Sequence, residues 1–355
     1  MFGDPNPEYI PENPEHTFWI QATPTTSYYR CVLPAMYMNG QAVALRESDI
    51  MHGVTKRMSF PRQRGAAIWQ FPGNKTRQVF MAEMQSQGTP VFVETDDNYL
   101  ITSPGTPGFV QEWQLKQKPG GEEVTNRFTH RECVRGSDGV IVSTPYLAEQ
   151  YTQFNSNVHV CRNSVEPKDW PEPRKLDDDV IRVGYAFSTS HYYDFELIFE
   201  GLEWAAKQPN VEVVLMGFPM PTFAAFKRFR YVNFPWTEHH AQYRRDLGIL
   251  DVGLAPLKPG KWTDSKSDLK AMEYAMAGAM TIASDVEPYR PWVGEACVFP
   301  EKNTAKGWLR AFKEVIGDCD KQAIRDFAGE AKQYVLENRT IDLEVDRWKE
   351  AIASV

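Results

Sequence analysis

The chain has 355 residues, with 47 acidic against 39 basic side chains and a net charge of −8 at pH 7. Hydrophobic residues make up 42% and charged residues 24%. That balance supports a packed core and excludes a disordered tail protein or a collagen-like repeat. No unbroken apolar run is long enough to cross a bilayer, which excludes a transmembrane protein, and the acidic total argues against general binding to phosphate backbones.

As a prior, the length predicts about two domains. The first residues (MFGDPNPEYIPENPEHTFW) are acidic and Pro-rich, the wrong chemistry for a secretory signal. Residues 1–165 carry a net charge of −2 and the remainder −6. Lys56, Arg57, Arg62 and Arg64 form the densest cationic stretch, read either as a basic patch or as a solvated loop. The cysteines (Cys31, Cys133, Cys161, Cys297, Cys319) are scattered and odd in number. They match neither a disulfide framework nor a zinc site, and a reducing, cytoplasmic setting is expected.

In chain order, short apolar runs alternate with helical stretches, the pattern of α/β domains with parallel sheets. Strands are predicted at residues 17–22, 66–71 and 90–94, with a helix over 75–87 stopped by Gly88. Residues 103–123, rich in Gly, Pro and Gln, read as a long surface loop. A strand at 140–143, a helix from Pro145 and a strand at 158–161 complete the first half.

Residues 166–179 have linker composition and divide the chain into a first domain, 1–165, and a second, 180–335. The second half opens on a strand at 181–186, then a helix with apolar Phe195, Ile198, Phe199, Leu202 and Ala205, with Asp194 as its predicted N-cap. Strands follow at 211–217, near Val232, at 251–257 and at 280–285. Helices are predicted over 268–277 and around Trp308 to Ile316. Residues 336–355 are expected to form a helix that packs back on the first domain. Two such halves place a ligand cleft between them, beyond the carboxyl ends of the strands.

The sequence holds no G-x-G-x-x-G, Walker A, H-E-x-x-H or G-x-S-x-G motif, which lowers the prior for nicotinamide enzymes, P-loop NTPases, zincins and α/β-hydrolases. Its most informative segment is 251–290, a strand, a polar loop, a helix, a glycine and a strand. The loop at 261–267 leads into a helix N-terminus near Asp268, where backbone N–H groups can hold a diphosphate. Lys266 and Ser267 add a cation and a hydroxyl there, and Glu273 can accept hydrogen bonds from a ribose diol. The alternative is a capping Ser-Asp pair followed by a solvent-facing Glu.

This segment resembles the C-terminal half of GT-B glycosyltransferases, in particular the family 4 group (glycosyl transferases group 1). Glu273-Tyr-Ala-Met-Ala-Gly278 followed by Met280-Thr-Ile-Ala-Ser-Asp285 is similar to that group's Glu, Ala/Gly turn and "PVVASD" strand. Residues 183–194 (VGYAFSTSHYYD) resemble its phosphate-binding loop, and 211–218 (VEVVLMGF) the strand near the nucleotide base. Residues 140–165 resemble the end of the first domain, and the likeness spans roughly 17–350. One departure stands out. Family 4 members often carry two glutamates separated by seven residues; the second matches Glu273, but the first falls on Ser265, with Asp264 one residue out of register.

The resemblance implies two Rossmann-like domains and transfer of a sugar from a nucleotide-diphosphate sugar to an acceptor hydroxyl, with retention. It implies neither a resident cofactor nor a metal. On the donor side it points to Gly184, Ser188, Ser190, His191, Gly217, Trp236, Ser267, Asp268 and Glu273. Ser190 or Asp194 also reads as a plain helix cap, and Trp236 with Tyr243 as a buried core pair. Lys266 and Glu273 are candidate catalytic groups, together with Asp96 and Asp97 at the end of VFVETDD. An ordinary Asp-rich turn is the other reading of those two. Tyr28, Tyr29, Arg30 and Glu94 are expected on the acceptor side, the first three in a Thr/Pro loop, and His130 is read as structural. The acceptor stays open among a protein, a small glycan or lipid head group, and a hydroxymethylated base in DNA. A sugar-nucleotide epimerase of the same architecture and a non-catalytic sugar binder are the competing functions.

Overall fold

The computed structural model describes residues 8–20, 24–44, 64–101, 126–174, 176, 178–188, 191, 193–217, 228–292, 294, 296–317 and 320–355. The loop read at 103–123, the cations Lys56, Arg57 and Arg62, and Ser190 lie outside the described residues.

Two six-stranded sheets, parallel throughout, form the protein. The first holds β1 (His16–Ile20), β2 (Gly40–Ala44), β3 (Ala67–Gln70), β4 (Val91–Thr95), β5 (Gly139–Val142) and β6 (Val158–Val160), in the order β2-β1-β3-β4-β5-β6. The second holds β7 (Ile181–Phe187), β8 (Val211–Gly217), β9 (Val232–Pro235), β10 (Val252–Ala255), β11 (Met280–Ala283) and β12 (Cys297–Val298), in the order β12-β11-β10-β7-β8-β9. Both orders are those of doubly wound, Rossmann-like sheets, which reverse direction at β1/β3 and at β7/β10. Every residue of β3, β4, β5, β7, β10 and β11 is buried, as expected for parallel strands covered on both faces.

The helices are α1 (Pro24–Ser27, a π-helical turn Tyr28–Val32, then Leu33–Tyr37), α2 (Lys75–Ser86), α3 (Asn126–Gly136), α4 (Pro145–Thr152), α5 (Phe195–Ala205), α6 (His240–Leu247), α7 (Leu269–Met276), α8 (Ala305–Phe312), α9 (Lys321–Asn338) and α10 (Ile341–Ile352). Gly88 and Gly278 adopt positive φ where α2 and α7 end, as helix-stopping glycines do. Three expectations change. Tyr28, Tyr29 and Arg30 sit inside α1 rather than in a loop. Asp194 does not cap α5 with its side chain. The strand β2 and the helix α6 went unpredicted, because neither carries a clean apolar period: GQAVA is a short edge strand and HAQYRRDL is mostly polar.

The chain crosses between the sheets twice, and the crossings are tied together. Val165 N–H donates to Arg339 O at 2.8 Å and Ile341 N–H donates to Val165 O at 2.9 Å. The helix α10 then returns to the first sheet, where the Trp348 ring packs 5.9 Å from Phe18 and carries the Arg30 guanidinium at 4.9 Å. Among the described residues no helix is long and apolar enough to cross a membrane.

Candidate functional site

The carboxyl ends of both sheets and the segments that follow them supply the candidate residues. In the second domain β10 leads to a single helical turn, Lys261–Asp264, and then to Ser265, Lys266 and Ser267 before α7. Each of these three residues is held by a different side chain of the first domain. Asn98 Nδ2 donates to Ser265 Oγ at 3.2 Å, Lys266 Nζ meets Asp97 Oδ2 at 3.0 Å, and Asn163 Nδ2 donates to Ser267 Oγ at 2.8 Å. Lys266 also rests over the Trp262 ring, 4.7 Å from its centroid.

Glu273 is fully buried on α7 but is not a core residue without partners. It accepts from Tyr243 at 2.8 Å and from Lys270 Nζ at 3.2 Å, and from Tyr29 of the first domain at 3.4 Å. Burial and the Glu273 charge together hold the Tyr29 and Tyr243 phenols well above their usual range. Both hydroxyls therefore stay protonated and act as donors.

His191 follows β7 and bonds Asp194 Oδ2 at 3.0 Å. Its N–H donates to Ser188 O at 3.0 Å, so this loop turns tightly on itself. Asp194 Oδ1 in turn accepts from the Lys258 N–H at 2.8 Å. Burial pushes the imidazole pKa down against the pull of Asp194, and the charges of Lys266 and Lys270 lower it further. Lys266 and Lys270, on the segment that opens α7, are thus close enough to His191 for their charges to act on it. Two ammonium groups at a helix start suit an anion.

Asp96 and Asp97 end β4 on the opposite wall, both half-buried. Burial, with the neighbouring Asp97 and Glu94 charges, pushes Asp96 up to about 8. Two adjacent carboxylates at this strand end thus favour keeping a proton between them.

The structure moves several sequence-predicted residues away from direct contact with a ligand. Arg30 and Glu94 are fully buried and pair with each other at 2.6 Å, so neither lines an acceptor surface. Arg30 also donates to Cys161 O at 2.6 Å and to Asn163 Oδ1 at 3.2 Å. The pair thereby supports Asn163, and through it Ser267. Tyr28 donates to Asp169 near the domain crossing. Asp268 is buried in an ion pair with Arg339, not open to a donor. Gly184 lies within β7, where a Cβ would stand 2.4 Å from Leu250 Cδ2; it is a packing glycine and not a phosphate cradle. Gly217 closes β8 at φ +115°, with the Phe187 carbonyl oxygen 2.0 Å from where a Cβ would be. Trp236 is 40% exposed just past β9 while Tyr243 turns onto Glu273, so the two do not form a core pair. His130 is structural: it contacts Pro72 O and Tyr151 Oη, both at 2.9 Å, and burial lowers it to about 4.

Reading the sequence alone missed Lys270, Asn98 and Asn163. Lys270 carries a usable signal, since it precedes Glu273 by three residues and so shares its helix face. The two asparagines act only across the domain boundary. Asp264, next to the register of the missing glutamate, lies near Glu287 and Arg290 instead. Among the described residues no group of three His, Cys, Asp or Glu side chains is set to hold a metal ion.

No protein-family model matches the sequence, and no curated protein matches it. Solved structures do. Anabaena Alr3699/HepE in complex with UDP-glucose superposes with a TM-score of 0.67 at 11% identity, over 96% of this chain and 99% of that one. A glycosyltransferase from Rickettsia africae gives 0.60 at 10% identity over 97% and 100%. Sucrose-phosphate synthase from Thermosynechococcus elongatus gives 0.56 at 12% identity over 88% and 82%. At such identities the likeness establishes the fold: two Rossmann-like domains facing a cleft, the GT-B architecture.

Proposed function

We propose that this GT-B chain is a glycosyltransferase that moves a sugar from a nucleotide-diphosphate sugar to an acceptor hydroxyl. The observation that carries this reading is the pair of ammonium groups on the segment that opens α7, Lys266 against the first-domain wall and Lys270 at 3.2 Å from the buried Glu273. Cations at that place suit a diphosphate, and a carboxylate beside them suits a ribose diol. The UDP-glucose complex of a protein with the same fold supports a UDP-sugar as donor.

In this reading residues 1–165 bear the acceptor, 166–179 link the domains, 180–335 bind the donor, and 336–355 return to the first domain. Ser188, Ser267, Gly217 and Trp236 are assigned to the donor side, and Asp96 and Asp97 to the acceptor side. The reaction is of the family 4 type, a retaining hexosyl transfer without a metal. The leaving diphosphate departs on the face where the acceptor arrives, and Lys266, Lys270 and His191 stabilise the charge that builds on it. Closure of the cleft keeps water from hydrolysing the donor. The proposed setting is cytoplasmic, in keeping with Cys31, Cys133, Cys161 and Cys297, all buried and free.

A thermal-shift screen across nucleotide sugars tests the reading. A true donor raises the melting temperature through linkage, by an amount equivalent to about 2.7 kcal/mol at a hundred times its Kd. A flat response across UDP-, GDP-, ADP- and dTDP-sugars overturns it.

A further inference from the structure

Three of the groups assigned above to the donor are engaged by the first domain, Ser267 by Asn163, Lys266 by Asp97 and Glu273 by Tyr29, and the last two are held by groups that resemble parts of the donor. Asp97 Oδ2 lies 3.0 Å from Lys266 Nζ, an anion where a phosphate oxygen would sit. Tyr29 donates its hydroxyl to Glu273 Oε1 at 3.4 Å, as a ribose hydroxyl would. Each contact reproduces the chemistry of one donor fragment, carboxylate for phosphate and phenol for sugar hydroxyl. Both partners come from the wall opposite the donor groups, Tyr29 from α1 and Asp97 from the turn after β4.

We propose that Asp97 and Tyr29 are built-in placeholders, which hold Lys266 and Glu273, the groups assigned to the diphosphate and the ribose, and are displaced when a nucleoside diphosphate enters. This rests on the donor reading given above. The physical argument is competition. A diphosphate and the Asp97 carboxylate are both anions, and Lys266 is the cation they share. A carboxylate 3.0 Å from that ammonium repels an incoming phosphate as well as occupying its partner. Entry of the donor frees Asp97 and Tyr29 from the second domain, so the acceptor wall reaches its working arrangement only in the loaded enzyme. Specificity of this kind, in which the first substrate completes the site for the second, limits donor hydrolysis when no acceptor is present.

The placeholder role reverses the usual sign of a mutation. Removing a residue that binds the nucleotide weakens binding, whereas removing a competitor strengthens it. The test is calorimetric titration of the full chain with UDP, GDP, ADP and dTDP, for the wild type and for Asp97→Asn, Tyr29→Phe and Lys266→Ala. Both of the first two changes are isosteric, and a thermal melt of each variant confirms that it is folded. For the nucleotide the wild type binds best, Asp97→Asn is expected to tighten Kd about tenfold and Tyr29→Phe about threefold, in line with a lost ion pair at 3.0 Å and a lost, longer hydrogen bond to a carboxylate at 3.4 Å. The gain from Asp97→Asn is expected to vanish when Lys266→Ala is also present. Unchanged or weaker binding in both single variants overturns the placeholders and leaves the donor reading standing. Failure of the wild type to bind any of the four nucleotides overturns the donor reading and the placeholders with it.

Discussion

Asp268 and Arg339 meet carboxylate to guanidinium inside the protein, 71 residues apart in sequence, and Trp292 Nε1 adds a third hydrogen bond to the same carboxylate at 2.8 Å. Arg339 also donates to Asn163 O at 3.0 Å. The pair thus fastens the start of α7 to the place where the chain crosses between domains. Burial alone would raise the Asp268 pKa, but the Arg339 charge holds it below the usual carboxylate range.

Removing one member of this pair strands a buried charge. Asp268→Ala is expected to destabilise the protein by about 3–5 kcal/mol, measured by urea denaturation. The double variant Asp268→Leu with Arg339→Met is expected to recover much of that loss. Were Asp268→Ala to leave stability intact and abolish nucleotide binding instead, the structural role given to this pair would be wrong.

Lys266→Ala tests the donor site. Its ammonium lies at the start of α7 and is expected to stabilise the departing diphosphate. Turnover with the donor found by the thermal-shift screen is expected to fall by about a hundredfold or more, with the melting temperature changed little. Full activity in this variant removes Lys266 from the site.

Asp96 yields a pH prediction with a definite sign. Its folded-state pKa, at about 8, lies above the unfolded value, so the folded protein binds the extra proton between the two. Stability from this group is therefore present at low pH and is lost as pH rises from the unfolded value through about 8, with no further loss above it. Asp96→Asn keeps the neutral form at every pH. It is expected to raise the melting temperature by a few degrees near pH 9 and to change it little near pH 5. An equal effect at both values would show that Asp96 ionises normally.

Gly217 stands where a side chain is excluded twice, by its positive φ and by the carbonyl of Phe187. Gly217→Ala is expected to cost about 2 kcal/mol or more and to disturb the cleft end of β8. A melting curve that matches the wild type would mean that the β7 and β8 ends can separate without penalty.

The strands of both sheets were largely legible because most are short, mainly apolar runs bounded by polar or glycine-containing turns. AAIWQF, PVFVE, VIVS, IRVGYA and MTIAS all match strands to within a residue or two. The helix α5 was legible through its apolar spacing. The polar helix α6 was not, since only His240, Arg244 and Leu247 on it are buried, and of these only Leu247 is a usual core residue. The segment proposed to bind the donor was readable in part. Lys266 and Glu273 stand out because a polar loop runs into a helix between two apolar strands.

Sequence by itself determined the α/β class, the two-sheet division and the location of the polar loop, because these follow from local apolar pattern and turn chemistry. Only the tertiary structure decided which polar residues face the cleft. Arg30, Glu94 and Asp268 look like site residues in the chain, yet fold into buried pairs, Arg30 with Glu94 and Asp268 with Arg339, whose members lie 64 and 71 residues apart. Asn98, Asn163 and Lys270 look ordinary and converge on the site. A charge near a strand end has the same appearance in sequence whether it meets a ligand or another side chain. The difference lies in a partner brought from a distant part of the chain, and that contact exists only once both sheets have packed.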